Sequence, residues 1–237
     1  MTASLTSGGL PVGEEKTRRV REMFDTIAPR YQMVNRLMTL GLDARWRRRT
    51  VRSLGLPASS TVLDVATGTG DLAAEARRQG HCVVGVDLSI GMLAADRDKP
   101  AAAQCDAAAL PLSDRAVDGV LCGYALRNFT DLRACLAEMA RVLRPGGRVA
   151  LLEVSEPPGG LTRMGFEIWF NRVVPLIGGT ISDRDAYQYL PKSVAYLPGT
   201  DELRAMLRDV GFSGVNRQLL SGGLSQLVTA TRKGAPS

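Results

Sequence analysis

From residue 61 onward, short apolar runs alternate with stretches of helical period. TVLDVA (61–66), CVVGVD (82–87), AAAQCD (101–106), VDGVLCGYA (117–125) and RVALLEV (148–154) are apolar through most of their length and predict strands. Helical patterns fall between them at 71–79 and from Ser89, a good N-cap, to about Arg97. The clearest helix spans 131–143: Asp131 caps it, and Leu132, Leu136, Met139, Ala140 and Leu143 share one face. Pro145-Gly146-Gly147 then stops it. Strands without polar alternation, separated by helices, imply a parallel sheet covered on both faces. Near the C-terminus a helix starts at Thr200-Asp201 and ends at Gly211, followed by strands near 214–220 and 225–232. Only SGGLS separates those two, a hairpin length, so the closing strand is antiparallel. The expected fold is α/β and Rossmann-like, with seven strands in a mostly parallel sheet and an antiparallel last strand.

The 237 residues are read as one domain, 18–237, behind a disordered tail, 1–17, that lacks the basic and apolar regions of a secretory signal. No run of ~18 apolar residues exists to span a bilayer. Residues 18–58 form an N-terminal helical cap, and 156–199 form an insert between the fifth strand and the last helix. The insert holds six of the 12 aromatic residues: Phe166, Trp169, Phe170, Tyr187, Tyr189 and Tyr196. It reads either as a core helix or as an apolar lid over a substrate, and the lid is preferred. Of the four cysteines, Cys82, Cys105 and Cys122 sit in strand-like runs and read as buried and reduced; Cys135 completes the set, and no CxxC pair occurs. One histidine, His81, read as a surface residue, and no Cys/His cluster leave no metal site.

The net charge of +6 lies entirely in residues 1–60, where 11 Lys+Arg face 5 Asp+Glu. Arg45, Arg47, Arg48, Arg49 and Arg52 supply much of it. Such a cluster is either a solvated helix face or an attraction to anionic lipid or nucleic acid, and charge alone does not choose.

Chemistry concentrates at Val62–Ala73, VLDVATGTGDLA, where Gly68-x-Gly70-x-x-Ala73 matches a nucleotide-binding turn. A diphosphate would sit on the helix N-terminus after such a turn. Here Asp71 opens that helix and Asp64 lies on the strand below, so two carboxylates repel phosphate and favour an ammonium or sulfonium ligand. Asp87, 19 residues beyond Gly68, is placed for ribose hydroxyls. Asp106, followed by Ala107, faces an adenine edge beside small apolar residues. S-adenosylmethionine, which carries adenosine, a sulfonium and an amino-acid end but no phosphate, fits these charges better than NAD.

The series Asp64-x-x-x-Gly68-x-Gly70, Asp87, Asp106-Ala107 and Arg144-Pro145-Gly146-Gly147 resembles the class I S-adenosylmethionine-dependent methyltransferases. Three stretches narrow the match: Tyr31-Gln32-Met33-Val34-Asn35 through Trp46, Leu126-Arg127-Asn128-Phe129-Thr130-Asp131, and Arg141–Val149 through Ser155. They resemble the ubiquinone/menaquinone C-methyltransferases of the UbiE/MenG type over about residues 18–232. The resemblance implies C-methylation of a prenylated hydroquinone, with Arg127, Asn128 and Asp71 as a water-linked network on the substrate hydroxyl. It implies cofactor contacts from Asp64, Gly68, Thr69, Gly70, Asp87, Leu88, Met92, Asp106, Ala107 and Gly123. Tyr31, Asn35, Phe166, Trp169, Phe170 and Tyr187 become the substrate side. Arg127 has a rival reading as a salt bridge holding its loop, Asp71 as a helix-start residue, and Tyr31 as packing. Gln32 stands where the family usually has Asp, Gly123 where many members have Ser, and Leu227-Val228-Thr229 where a histidine is usual. These departures keep open another small aromatic or secondary-metabolite acceptor; a non-enzymatic cofactor-binding regulator is a separate alternative. A nucleic-acid methyltransferase is disfavoured, since Tyr124-Ala125-Leu126-Arg127-Asn128 replaces the Asp/Asn-Pro-Pro-aromatic motif. The expected setting is cytoplasmic, peripheral on the inner, anionic face of the membrane, with oligomeric state left open.

Overall fold

The computed structural model describes residues 12–96, 101–155, 157, 159, 160, 163 and 193–234. Among them, seven strands form one sheet: β1 (Thr61–Val65), β2 (Cys82–Asp87), β3 (Ala102–Gln104), β4 (Val117–Gly123), β5 (Leu143–Val154), β6 (Phe212–Leu220) and β7 (Ser225–Arg232). Their order is β3-β2-β1-β4-β5-β7-β6, and β7 alone runs against its neighbours. The helices are α1 (Gly13–Ile27), α2 (Tyr31–Met38), α3 (Leu42–Ser53), α4 (Asp71–Arg78), α5 (Ile90–Ala95), α6 (Leu132–Val142) and α7 (Thr200–Asp209).

Alternate residues of the buried strands feed opposite layers. Leu63, Val65, Cys122 and Leu151 pack with Leu136 and Met139 of α6 and Leu207 of α7. Val62, Leu121, Ala150 and Leu152 pack with Leu72 and Ala76 of α4 and with Trp46, Val51 and Leu54 of α3. The N-terminal segment therefore divides. α3 is a full member of one helical layer, anchored where Trp46 Nε1 donates to Ser221 Oγ at 2.9 Å. α1 and α2 close over α5 instead, through Ile27, Ala28, Val34 and Met92.

The predicted strand and helix order is observed, including Asp131 accepting from the Ala134 amide at 2.9 Å and Ser89 accepting from Met92 at 3.0 Å. Four details differ. α1 already begins at Gly13, inside the expected tail, because Glu14 and Glu15 suit the positive end of a helix dipole. Pro145-Gly146-Gly147 does not separate helix from strand. β5 runs continuously from Leu143, and residues 144–147 loop out where its register with β4 jumps. Cys82 is exposed and Cys105 half-buried, since both lie at the margins of edge-side strands; only Cys122 and Cys135 are buried. His81 is half-buried rather than a plain surface residue. Apart from residues such as Ser193 and Tyr196, most of the expected lid, with Phe166, Trp169, Phe170 and Tyr187, lies outside the described residues.

Candidate active site

β1 is the point where the sheet reverses, with β2 on one side and β4 on the other, so the loops leaving β1 and β4 part and open a crevice. Each of these strands ends in a residue forced into the left-handed region, Ala66 (φ 54°) after β1 and Tyr124 (φ 58°) after β4. Such conformations are costly for non-glycine residues and concentrate at functional sites. Both residues border two lobes that share Tyr31, Gly68 and Gly123 as well. The larger lobe encloses about 780 Å³, open solvent included, and the smaller about 430 Å³.

Asp87, Leu88, Met92, Asp106, Ala107 and Asn128 line the larger lobe, roofed by Val20 and Phe24 of α1. Asp87 Oδ2 accepts from the Gly68 amide at 2.7 Å and Oδ1 from the Ser89 amide at 2.8 Å. The carboxylate thus ties the glycine turn to α5. Burial raises its pKa, and those backbone bonds oppose the rise. Asp106 accepts from the Ala108 amide at 2.9 Å, which shapes the loop and sets Ala107 on the wall. Gly68 has φ 59°, and a Cβ there would meet nothing within 4 Å, so backbone forms an open cradle facing both lobes.

Asn35, Asp64, Thr69 and Asp71 line the smaller lobe with Arg47 and Thr67. Asp64 is 1% exposed. Its Oδ2 accepts from Thr67 Oγ1 at 2.7 Å and from the Ala73 amide at 3.0 Å, while Oδ1 is buried with no partner. Thr69 Oγ1 is likewise buried and unpartnered. Burial pushes the Asp64 carboxyl up to about 7, against the pull of its two hydrogen bonds. Burial also raises Asp71, whose Oδ2 lies 3.6 Å from Arg47 Nη1, a cation that moderates the rise. Unanswered acceptor atoms beside raised carboxyls call for a ligand bearing hydrogen-bonding positive charge, and they disfavour phosphate.

Of the three residues expected to act on substrate, Asp71 lines the smaller lobe and Asn128 the larger. Asn128 Oδ1 is buried and unpartnered. Arg127 borders neither lobe: it is 5% exposed, donates from Nη1 to Glu153 and from Nε to Ser193 Oγ at 3.1 Å. The rival salt-bridge reading of Arg127 is thus present as geometry, and no direct hydrogen bond joins the three. Asp71 opens α4 as the acid of its first turn, while Gly70 occupies the N-cap position without a side-chain bond. Tyr31 borders both lobes, and burial pushes its phenol up to about 12, opposed by Arg127. Gln32 Nε2 donates to the Thr69 carbonyl at 3.2 Å, which fastens α2 to the glycine turn.

The sequence reading assigns no site role to Asp25, Arg47, Thr67, Glu153 or Ser193. Glu153 had a signal, as the one acid in the apolar run of β5, where a buried charge needs a partner. Asp43 and Arg47 had another, their i,i+4 spacing, realised at 2.6 Å. Asp25 gave none. It accepts from Ser89 Oγ at 2.5 Å and from the Gly91 amide at 2.9 Å, 64 and 66 residues away.

Residues 12–232 match the model of the ubiE/COQ5 methyltransferase family. The chain is 43% identical over 220 residues to the Thermus thermophilus demethylmenaquinone methyltransferase, covering 89% of this chain and all of that one. It is 41% identical over 232 residues to a Geobacter sulfurreducens ubiquinone/menaquinone biosynthesis C-methyltransferase, covering 92% and 90%. A SAM-dependent methyltransferase structure from Thermotoga maritima shares the fold, with a TM-score of 0.65 at 19% identity over 90% of this chain and all of that one. The match across nearly the whole length, on a sheet whose switch-point crevice presents unpaired acceptors, places this chain in the ubiE/COQ5 methyltransferase family.

Proposed function

We propose that this protein methylates a ring carbon of a prenylated hydroquinone, using S-adenosylmethionine as donor. The observation that carries the cofactor reading is the unpartnered Asp64 Oδ1 in a phosphate-averse lobe beside the glycine turn. Asp64 and Thr69 supply acceptors for an ammonium, Gly68 backbone lets the ligand lie close, and Asp87 takes ribose hydroxyls. Asp106, Ala107, Leu88 and Met92 receive the adenine. When bound, the cofactor supplies an electrophilic methyl group on a sulfonium.

The protein's share is alignment and proton handling. Asp71, its carboxyl raised by burial, is suited to take the phenolic proton as the ring carbon becomes nucleophilic; once the methyl has moved, the hydrogen on that carbon leaves as a proton and the phenol is restored. Asn128 Oδ1 is an open acceptor for the same hydroxyl. Tyr31 stays protonated near neutrality and donates to a ring oxygen. Arg127, fixed by Glu153 and Ser193, places positive charge near Tyr31 and favours a developing phenolate. Asn35 and the insert residues Phe166, Trp169, Phe170 and Tyr187 complete the acceptor side in this reading. A prenyl tail partitions into lipid, so the acceptor is met at an anionic membrane surface, to which the basic N-terminal residues are attracted. Among the described residues, no helix is long and apolar enough to cross a membrane.

Incubation with methyl-labelled S-adenosylmethionine and a panel of demethylmenaquinol, ubiquinol precursors, small phenols and RNA tests this. Label is expected in the quinols; label confined to small phenols or RNA would refute it.

A further inference from the structure

One face of α2 is spent on the site and the other faces water with the wrong chemistry. Tyr31 and Asn35 border the lobes and Val34 is buried. On the opposite side, at i and i+4, Met33 and Leu37 are 50% and 45% exposed, and Leu40, two residues past the end of α2, is 71% exposed. They are three of the five large apolar residues exposed among the described residues. Leu40 is also held at φ 52°, a conformation unfavourable for leucine, so strain is spent to present an apolar tip at the turn between α2 and α3.

The charge around this stripe has one sign. Between residues 28 and 60 there are seven arginines and a single acid, Asp43. Asp43 is buried and committed to Arg47 and Thr39. Arg36 is exposed on the flank of the stripe, and Arg45, Arg48 and Arg52 are exposed along α3; none of the four has an ion pair among the described residues. Apolar side chains without exposed aromatics, bordered by unpaired arginines, match the interface of an anionic bilayer better than a nucleic acid, whose bases would want stacking partners.

We infer that the patch formed by Met33 and Leu37 of α2 and Leu40 of the turn after it, with Arg36 and the arginines of α3 beside it, is where the protein docks on an anionic lipid surface. This deepens the proposed function and rests on it for the reason docking is useful. Because α2 is one helix thick, a bilayer against its outer face lies about 10 Å from the lobes bordered by its inner face. A membrane-dissolved quinol reaches the site from there without crossing open water.

The full-length protein is compared with the variant Met33→Gln/Leu37→Gln/Leu40→Asn and with Arg36→Glu, using vesicles of phosphatidylcholine with and without phosphatidylglycerol. The wild type is expected to sediment with the anionic vesicles and to leave the neutral ones largely in solution. Losing three apolar contacts should cut the bound fraction at least about tenfold, and charge reversal at Arg36 several-fold. Melting temperature and turnover of a short-chain, water-soluble quinol should stay within about twofold of wild type in rate, because these side chains support neither core nor site. Wild-type binding that survives the triple substitution overturns the docking face, as does no vesicle binding at all. A large drop in melting temperature shows that the face is buried and also overturns it. Concentration-dependent self-association abolished by the variant assigns the face to a second copy instead. Failure to methylate the soluble quinol defeats the proposed function while leaving the sedimentation result to stand alone.

Discussion

Asp64 carries an unresolved charge. It sits in a strand interior on the wall of the smaller lobe, with one oxygen satisfied and the other buried without a partner. A cation in that lobe interacts with the ionised form only. With the ligand-free carboxyl near 7, cofactor affinity should climb as pH rises from about 5.5 and level off above about 8. The stability sign is opposite. The folded carboxyl holds its proton more tightly than the unfolded one, so the ligand-free protein should lose stability as pH rises from about 4 to about 7. Asp64→Asn should flatten both profiles and weaken S-adenosylmethionine binding by about 30- to 150-fold, the equivalent of ~2–3 kcal/mol for a charge-assisted bond. Calorimetric titration across pH checks the first and thermal melts the second; an unchanged pH profile of affinity in Asp64→Asn would refute the assignment. Arg127 poses a different residue-scale question, because a buried pair with Glu153 serves structure and electrostatics alike. Glu153→Ala strands the guanidinium and should destabilise by about 3–5 kcal/mol, whereas Arg127→Met/Glu153→Leu should recover most of that. If Arg127 charge assists the phenolate, the recovered double variant should still turn over about a hundredfold more slowly. A stable double variant with full turnover would reduce Arg127 to a loop fastener.

Elements differ in how readily the sequence betrays them. The sheet was legible because buried parallel strands are written as unbroken apolar runs, and because SGGLS is too short for anything but a reversal. The glycine turn and its carboxylates were legible for a similar reason: Asp64, Gly68, Gly70 and Asp71 are close in sequence, and their chemistry is local. α1 was half missed, since what makes it part of the site is contact across long stretches of chain. Lys16 Nζ donates to the Phe129 carbonyl at 2.7 Å, 113 residues away, and lies 3.8 Å above the Tyr196 ring. Thr17 meets Thr130 at 2.6 Å, and Asp25 holds α5 through Ser89 and Gly91. These contacts strap α1 across the larger lobe, whose wall includes Val20 and Phe24. Asp25→Ala frees two donors at one end of the strap. It should raise the cofactor Kd about tenfold and expose α1 to limited proteolysis, with saturating cofactor restoring protection. Equal proteolysis of variant and wild type would mean that α1 is held by its apolar face alone.

At the scale of the whole molecule, the crevice and the charge lie in different parts of the chain and do different work. The crevice belongs to the β1–β4 switch point, whose lobes carry Asp64, Asp71, Asp87 and Asp106 and select a cation. The surplus positive charge belongs to residues 1–60, in which α2 and α3 carry exposed arginines. An anionic surface pulls on the second and is indifferent to the first. Salt separates them. Screening shortens from about 10 Å at 0.1 M to about 3 Å at 1 M, which weakens exposed arginines far more than a carboxylate 1% exposed. Raising ionic strength from about 0.05 to 0.5 M should therefore raise the apparent KM for a long-prenyl quinol embedded in anionic vesicles by about tenfold. Over the same range the cofactor Kd and the KM for a short-chain soluble quinol should move by no more than about twofold. Steady-state kinetics on the two acceptors, with cofactor saturating, reads both at once. Equal salt sensitivity on both acceptors would place the electrostatics inside the crevice and leave the arginines of α2 and α3 without a part in substrate delivery.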